Sequence, residues 1–445
     1  MKPNTLPASP LLQIGSWMLL LLAILCSVST WAYVRRVLIP HQVRYDAAHA
    51  QPRGNLSDLY PRWLGARELL LHGRDPYTHE FTREIQSGYY GRPLDWDGPR
   101  NRSYDQGFYY PVYVAFFLAP TIHLPFAMVQ KGFFWVLLSL TVTTVPLWPR
   151  ALRWPLPLYA LATLVVFTLG SLAFVEGLLL QQITIFVVPV MAVAIALLVS
   201  DRPIPAGILL AFSTIKPQLV CWLLLWLTIW TWADWRRRYR WALSFLLTMA
   251  VLYAASEWYL PDWIPRFYQA LREYRLYTGE MSVMDELIGP PWSRALEVAA
   301  VAILIGVCWR ERRHAANTGA FALVLSLVLA VTVLVTPTYG IYNQVLLVPA
   351  VLIMLKDRGT LWQKGMVNRS LAVITVGLVC WPWISSFTLA ALSFVLPRET
   401  VEHAWSVPLW TALQTPLAVS ALILVHYYQA YYQRTVTAPT ILQSS

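Results

Sequence analysis

Residues able to do chemistry are few in this chain, and the first stands in NLSDLYPRWLGARELLLHGRDPYTHEF, residues 55–81. Asp58 precedes a run in which Leu59, Trp63, Ala66 and Leu70 recur at helical spacing. Arg62, Arg67, Glu68 and His72 fall off that face. Ser57 or Asp58 can cap such a helix, Pro61 is tolerable in its first turn, and Gly73 ends it. The pattern therefore predicts an amphipathic helix over 59–72, lying on a membrane surface. A carboxylate at its N-terminus is held ionised by backbone N–H groups and the helix dipole. An ionised carboxylate at a lipid–water boundary is what a general base acting on a sugar hydroxyl requires. Spacing alone leaves Asp58 open between that role and a plain N-cap.

Lys216 interrupts AGILLAFSTIKPQLVCWLLLW, residues 206–226. A lysine inside an apolar run costs a few kcal/mol unless it snorkels to the surface or meets an anion. Its two readings are a snorkelling helix end and a cation for a lipid phosphate. VEGLLLQQITIF, residues 175–186, brings Glu176, Gln181 and Gln182 to the same level, for hydrogen bonding between helices or for substrate. Asp95-Trp96-Asp97 has the D-x-D spacing that chelates divalent cations, but Gly98-Pro99 beside it also suit a plain turn. Asn55-Leu56-Ser57 and Asn101-Arg102-Ser103 match the N-glycosylation pattern. No P-loop, G-x-S-x-G, H-E-x-x-H or cysteine–histidine cluster is present, which argues against ATP-driven transport, serine hydrolysis and zinc proteolysis.

What must position these residues is apolar. Of 445 residues 57% are hydrophobic and 13% charged, against about 25% charged in soluble domains. Apolar runs recur from end to end, so the chain reads as one polytopic, all-α membrane domain over 1–445. Candidate spans are 12–34, 132–148, 157–175, 183–199, 204–216, 218–232, 241–257, 295–309, 320–336, 344–355, 370–392 and 407–430, about twelve (11–13). The net charge of +11 sits largely in short loops between them, the positive-inside pattern, and does not call for nucleic acid. Trp (22) and Tyr (23) suit the aromatic belts of the two interfaces. The four cysteines all lie in apolar runs, as small buried residues do. The first run reads as a retained span, not a cleaved signal.

RRRYR (236–240), RERR (310–313) and the 356–369 loop mark the cytoplasmic side. Counting crossings then places the loops 35–131, 258–294, 337–343 and 393–406 outside, with large extracytoplasmic loops at 35–107 and 258–294. Residues 109–127 are apolar but broken by Pro111, Pro120 and Pro125, and read as a broken helix dipping into the outer leaflet. The spans 204–216 and 344–355 are too short for a hydrocarbon core, which favours a polar cavity beside their ends.

The acid soon after the first span, GRDPYT (73–78), FYYPVYVAFFLAPTIHLP (108–125), QQITIFVVPVMAVAIALL (181–198) and AGILLAFSTIKPQ (206–218) together resemble glycosyltransferase family 87. The resemblance implies a GT-C fold and a polyprenyl-phosphate sugar donor, with an acidic base in the first outer loop, which falls on Asp58. The family's aromatic-Pro-Pro motif reads Tyr109-Tyr110-Pro111-Val112 here, without its second proline. Its late motif reads Thr336-Pro337-Thr338-Tyr339-Gly340-Ile341-Tyr342-Asn343, without histidine, so sugar and acceptor stay open.

The reading is a multi-pass cell-membrane glycosyltransferase, inverting and mannose-transferring, that acts on the extracytoplasmic face without metal or cofactor. Its partners are a polyprenyl-phosphate sugar, a lipid or glycan acceptor and membrane lipids. Asp58 is the candidate base. Lys216, Arg62 and Arg67 are candidates for the donor phosphate, and Tyr110, Gln181, Gln182, Tyr339 and Asn343 for substrate binding. The rival is a carrier or flippase for lipid-linked sugars, which should show internal repeats and no long polar outer loop.

Overall fold

A computed structural model describes residues 10–49, 54, 57–94, 106–279, 281–337 and 339–441. Among the described residues 81% are helical and no strand is present. Six helices among the described residues are long and apolar enough to cross a membrane: Gly15–Ala48, Phe126–Ala151, Trp235–Tyr259, Trp292–Glu311, Met366–Val395 and Arg398–Gln433. A seventh forms if Leu158–Leu169 and Leu172–Leu179, bent by 59°, count as one. Shorter apolar helices include Thr184–Val199, Pro203–Ser213, Pro217–Trp232 and Gly319–Val335. Gly319–Val335 is buried along nearly its whole length, so it is apolar on every face rather than amphipathic.

The two ends of the bundle are chemically different. Trp235–Tyr259, at 25 residues, separates them by about 37 Å. At one end Arg238 donates to the carbonyls of Trp230, Arg312, Arg313 and His314. The same end holds Lys356 on the Leu152 carbonyl and His426 against Asp357. All three basic markers of the sequence thus gather there. At the other end Tyr33 reaches Trp405, Arg266 pairs with Asp75, and residues 57–62 meet 180–184.

Two expectations change, and that for 109–127 does not. The first helical run does not stop at Val34: it passes through a π turn at Val34–Leu38 and continues to Ala48. Arg36 is accommodated there by the Ser393 hydroxyl and the Phe394 ring. The Leu59–His72 helix ends at Gly73 as expected, with φ 66°. However, it is not a surface helix. Arg62, Gly65 and Pro61 are buried along with its apolar face, because the chain from Phe108 onward covers the side that periodicity leaves polar. Phe108 occupies the space a Cβ at Gly65 would need. The next helix, His79–Tyr90, is one-sided, burying Phe81, Thr82, Ile85 and Gln86. The 109–127 segment is a short helix, Val114–Leu118, and a 3-10 turn. Phe108 packs on the Leu59–His72 helix at its start, and Thr121 and Phe126 meet Trp63 and Tyr60 at its end. It therefore returns to the end of the bundle it left.

Candidate functional site

The site is built on a turn. The Leu172–Leu179 helix closes with the N–H of Gln182 on the Gly177 carbonyl, 2.8 Å, and Gln181 takes a left-handed φ of 51°. That conformation costs a non-glycine residue about 1–2 kcal/mol. Its side chain is fixed at both ends: the Ser57 hydroxyl donates to its Oε1, and its Nε2 donates to the Gln130 carbonyl. Locked so, the turn aims Gln182 at Asp58. Gln182 Nε2 donates to Asp58 Oδ2, Gln106 adds a second bond, and the Asp58 N–H donates to the Leu180 carbonyl at 3.1 Å.

Asp58 is not acting as a cap. Its backbone is helical, φ −62° and ψ −4°, and its carboxylate makes no capping bond. The Ser57 hydroxyl donates to Gln181, and it is the Ser57 carbonyl that accepts from the Tyr60 N–H at the start of the helix. Burial pushes the Asp58 carboxyl above its ordinary range, and the charges of Arg62 and Lys216 and the amides of Gln182 and Gln106 oppose that shift. A carboxylate of raised basicity is better matched to proton abstraction near neutral pH.

Lys216 does not snorkel. It is 6% exposed, at the break between Pro203–Ser213 and Pro217–Trp232. Its Nζ donates to Thr184 Oγ1 at 2.7 Å and to Asn343 Oδ1 at 3.3 Å, and stands 4.8 Å from the centre of the Tyr342 ring. The ends of the two short apolar segments therefore meet at this residue. Gly177 permits the approach, since a Cβ there would come within 2.9 Å of Tyr342 Cβ.

Arg62 follows Asp58 by one helical turn and so shares its side of the helix. It is 1% exposed, with Cζ 4.7 Å from the Tyr110 ring centre and Nη1 3.4 Å from the Gln181 carbonyl. Its buried Nε has no partner, and neither does Glu176 Oε2. Such groups are costly unless water or a ligand completes them. Here a guanidinium and an ammonium flank one carboxylate and are held mostly by neutral groups, an arrangement that can take an anionic phosphate beside a base.

The structure thus joins Asp58, Arg62, Tyr110, Gln181, Gln182, Lys216 and Asn343. Arg67 is not brought in. Five residues beyond Arg62, it lies about 140° round the helix, over Trp63 at 5.5 Å. Tyr339 is marginal, its hydroxyl accepting from Gln344 and its N–H donating to Met281. Thr184, Tyr342 and Gln106 join unforeseen. Tyr342 and Asn343 flank each other in the late motif, but no local spacing announces Thr184, 159 residues from Asn343. The D-x-D at Asp95 and Asp97 and both N-glycosylation asparagines lie outside the described residues.

Residues 108–337 match the family model of glycosyltransferase family 87. The chain belongs to that family. No curated protein and no solved structure matches it. The family 87 match contains Tyr110, the 181–184 turn and Lys216, while Asp58 and Arg62 precede it and Asn343 follows it. Chain geometry ties those outlying residues to the matched segment through Gln182, Gln181 and Lys216. As a member of this family the protein is a glycosyltransferase with membrane-helix character, acting between a sugar donor and an acceptor.

Proposed function

We propose that this glycosyltransferase moves a hexose, mannose, from a polyprenyl-phosphate donor to a lipid or glycan acceptor by an inverting reaction. The observation that carries this reading is the setting of Asp58, a carboxylate spared from helix capping and flanked by Arg62 and Lys216. Asp58 takes the proton of the acceptor hydroxyl as its oxygen attacks the anomeric carbon. The bond from that carbon to the phosphate oxygen breaks, and the leaving polyprenyl phosphate carries away the electron pair and a new negative charge. Arg62, with its unpartnered Nε, and Lys216 stabilise that charge. A lipid phosphate so held is a workable leaving group without a metal. Tyr110 backs the guanidinium, while Gln181 and Gln182 orient the base. Asn343 orients Lys216, and Tyr339 borders the site.

The same reading makes the fold GT-C-like. The five shorter apolar helices cross together with the long ones and the bent pair, giving twelve spans. Because the basic markers gather at the far end, the positive-inside rule puts Asp58 on the extracytoplasmic side of the cell membrane. A cysteine at exposed Ser87 should then react with an impermeant thiol reagent on intact cells, while one at exposed Thr360 should not. The opposite pattern would invert the protein.

Purified protein in lipid, given labelled polyprenyl-phosphate mannose and candidate acceptors, should form a new glycoside. Movement of the donor between leaflets without transfer would favour a carrier instead.

A further inference from the structure

A second buried carboxylate stands within electrostatic reach of Asp58, and the reaction above does not use it. Glu176 lies on the Leu172–Leu179 helix, one turn before the Leu180–Gln182 turn that holds Asp58. Its Oε2 is buried without a hydrogen-bond partner. It lies within electrostatic reach of Asp58, Tyr33, Tyr339 and Tyr342, a carboxylate and three phenols. Arg62 and Lys216 act on Asp58 and are not among these groups. Tyr342 stands between the two sides, its ring toward Lys216 and its Cβ packed at Gly177, the residue after Glu176. Asp58 therefore has a cationic flank, where Arg62 also keeps an orphaned Nε, and an acidic, phenolic flank.

The two flanks suit different ligands. An anionic phosphate placed against Glu176 and Asp58 would bring three acidic groups together in a buried site, which is strongly disfavoured. A neutral molecule with adjacent hydroxyls suits that side, because one hydroxyl can donate to the Glu176 oxygen that has no partner while its neighbour meets Asp58. Resting on the transferase reading above, we propose that Glu176 binds the acceptor. It accepts a hydrogen bond from a hydroxyl adjacent to the one Asp58 deprotonates. The acceptor is then the polyol face of a sugar or cyclitol, not an isolated alcohol or a phosphate.

The test uses full-length protein in lipid with labelled polyprenyl-phosphate mannose. Acceptors are octyl mannoside, octyl glucoside and their monodeoxy analogues, with octanol and octyl phosphate as acceptors lacking a diol. Wild-type protein should transfer to at least one hexoside. Removing the hydroxyl beside the accepting one should raise its KM about tenfold or more, the usual scale for a hydrogen bond to a charged group. Glu176→Leu should show that same loss on the parent hexoside, no further loss on the deoxy analogue, and an unchanged donor KM. Wild-type KM for hexosides in Glu176→Leu, or a wild-type preference for octanol or octyl phosphate, would overturn the proposal. The deoxy series on wild-type protein stands even if the variant folds poorly. Transfer to octyl phosphate alone would leave the transferase reading intact and remove the role of Glu176. Sugar reaching neither water nor any acceptor would overturn both.

Discussion

Two buried arginines, at opposite ends of the molecule, are treated in opposite ways. Arg238 is 8% exposed and donates to four backbone carbonyls, at 2.6 to 3.1 Å, with Trp230 under its guanidinium at 4.1 Å. One of those carbonyls lies in the last turn of Pro217–Trp232 and the other three follow the end of Trp292–Glu311, where helix geometry no longer supplies a partner. Arg238 is therefore a tie between helix ends. Arg62, at 1% exposure, has one long contact at 3.4 Å and a buried Nε left over. A fold that can complete one buried guanidinium leaves another incomplete beside Asp58. The difference separates a charge used for assembly from a charge held for a ligand.

The largest effect that comparison predicts is at Asp58. Asp58→Asn should lower the transfer rate by about 10²–10⁴-fold, the usual cost of losing a general base. Thermal stability and donor affinity should hold, because the carboxylate makes no capping bond to lose and Asn keeps a side-chain oxygen that can accept from Gln182. A destabilised but active Asn variant would return Asp58 to the structural side of the comparison.

The arginines themselves give the next effect, in crossed form. Arg62→Met and Lys216→Met should each weaken donor affinity about tenfold or more, since charged hydrogen bonds are worth roughly 1.5–3 kcal/mol, with little loss of stability. Arg238→Met should do the reverse, leaving buried carbonyls unpaired at a cost of about 2–3 kcal/mol, with donor affinity unchanged. Donor titrations and melting curves on the three variants check both halves. Equal destabilisation by Arg62→Met and Arg238→Met would erase the distinction.

Much of this was legible in the sequence because it rests on local rules. Asp58, Lys216 and Gln182 stand out as polar residues beside apolar runs, and Gly73 ends its helix as a left-handed glycine should. The grouping of 236–240, 310–313 and 356–369 followed from charge alone. Contacts between distant segments were not legible. Periodicity over 59–72 describes one helix and is silent on what covers its polar side, so Arg62 looked solvent-facing until Tyr110 and Gln181 closed over it. Arg67 shared its residue type but not its angle on the helix, and only that angle separates the two. Apolarity ended the first span at Val34, whereas the helix continues because Arg36 found Ser393 and Phe394 about 360 residues away.

The most direct test of the account is the pH dependence of kcat/KM. Burial holds the Asp58 carboxyl above its ordinary range, against the opposing charges of Arg62 and Lys216. The group is neutral, and useless as a base, below its raised pKa, so activity should fall as pH drops through a limb above the usual carboxylate range. Arg62→Met removes a charge that favours the ionised form, so the limb should move to still higher pH. The residual activity of Asp58→Asn should show no such limb. An acid limb unchanged in Asp58→Asn, or one that moves to lower pH in Arg62→Met, would contradict the assignment of Asp58 as the base.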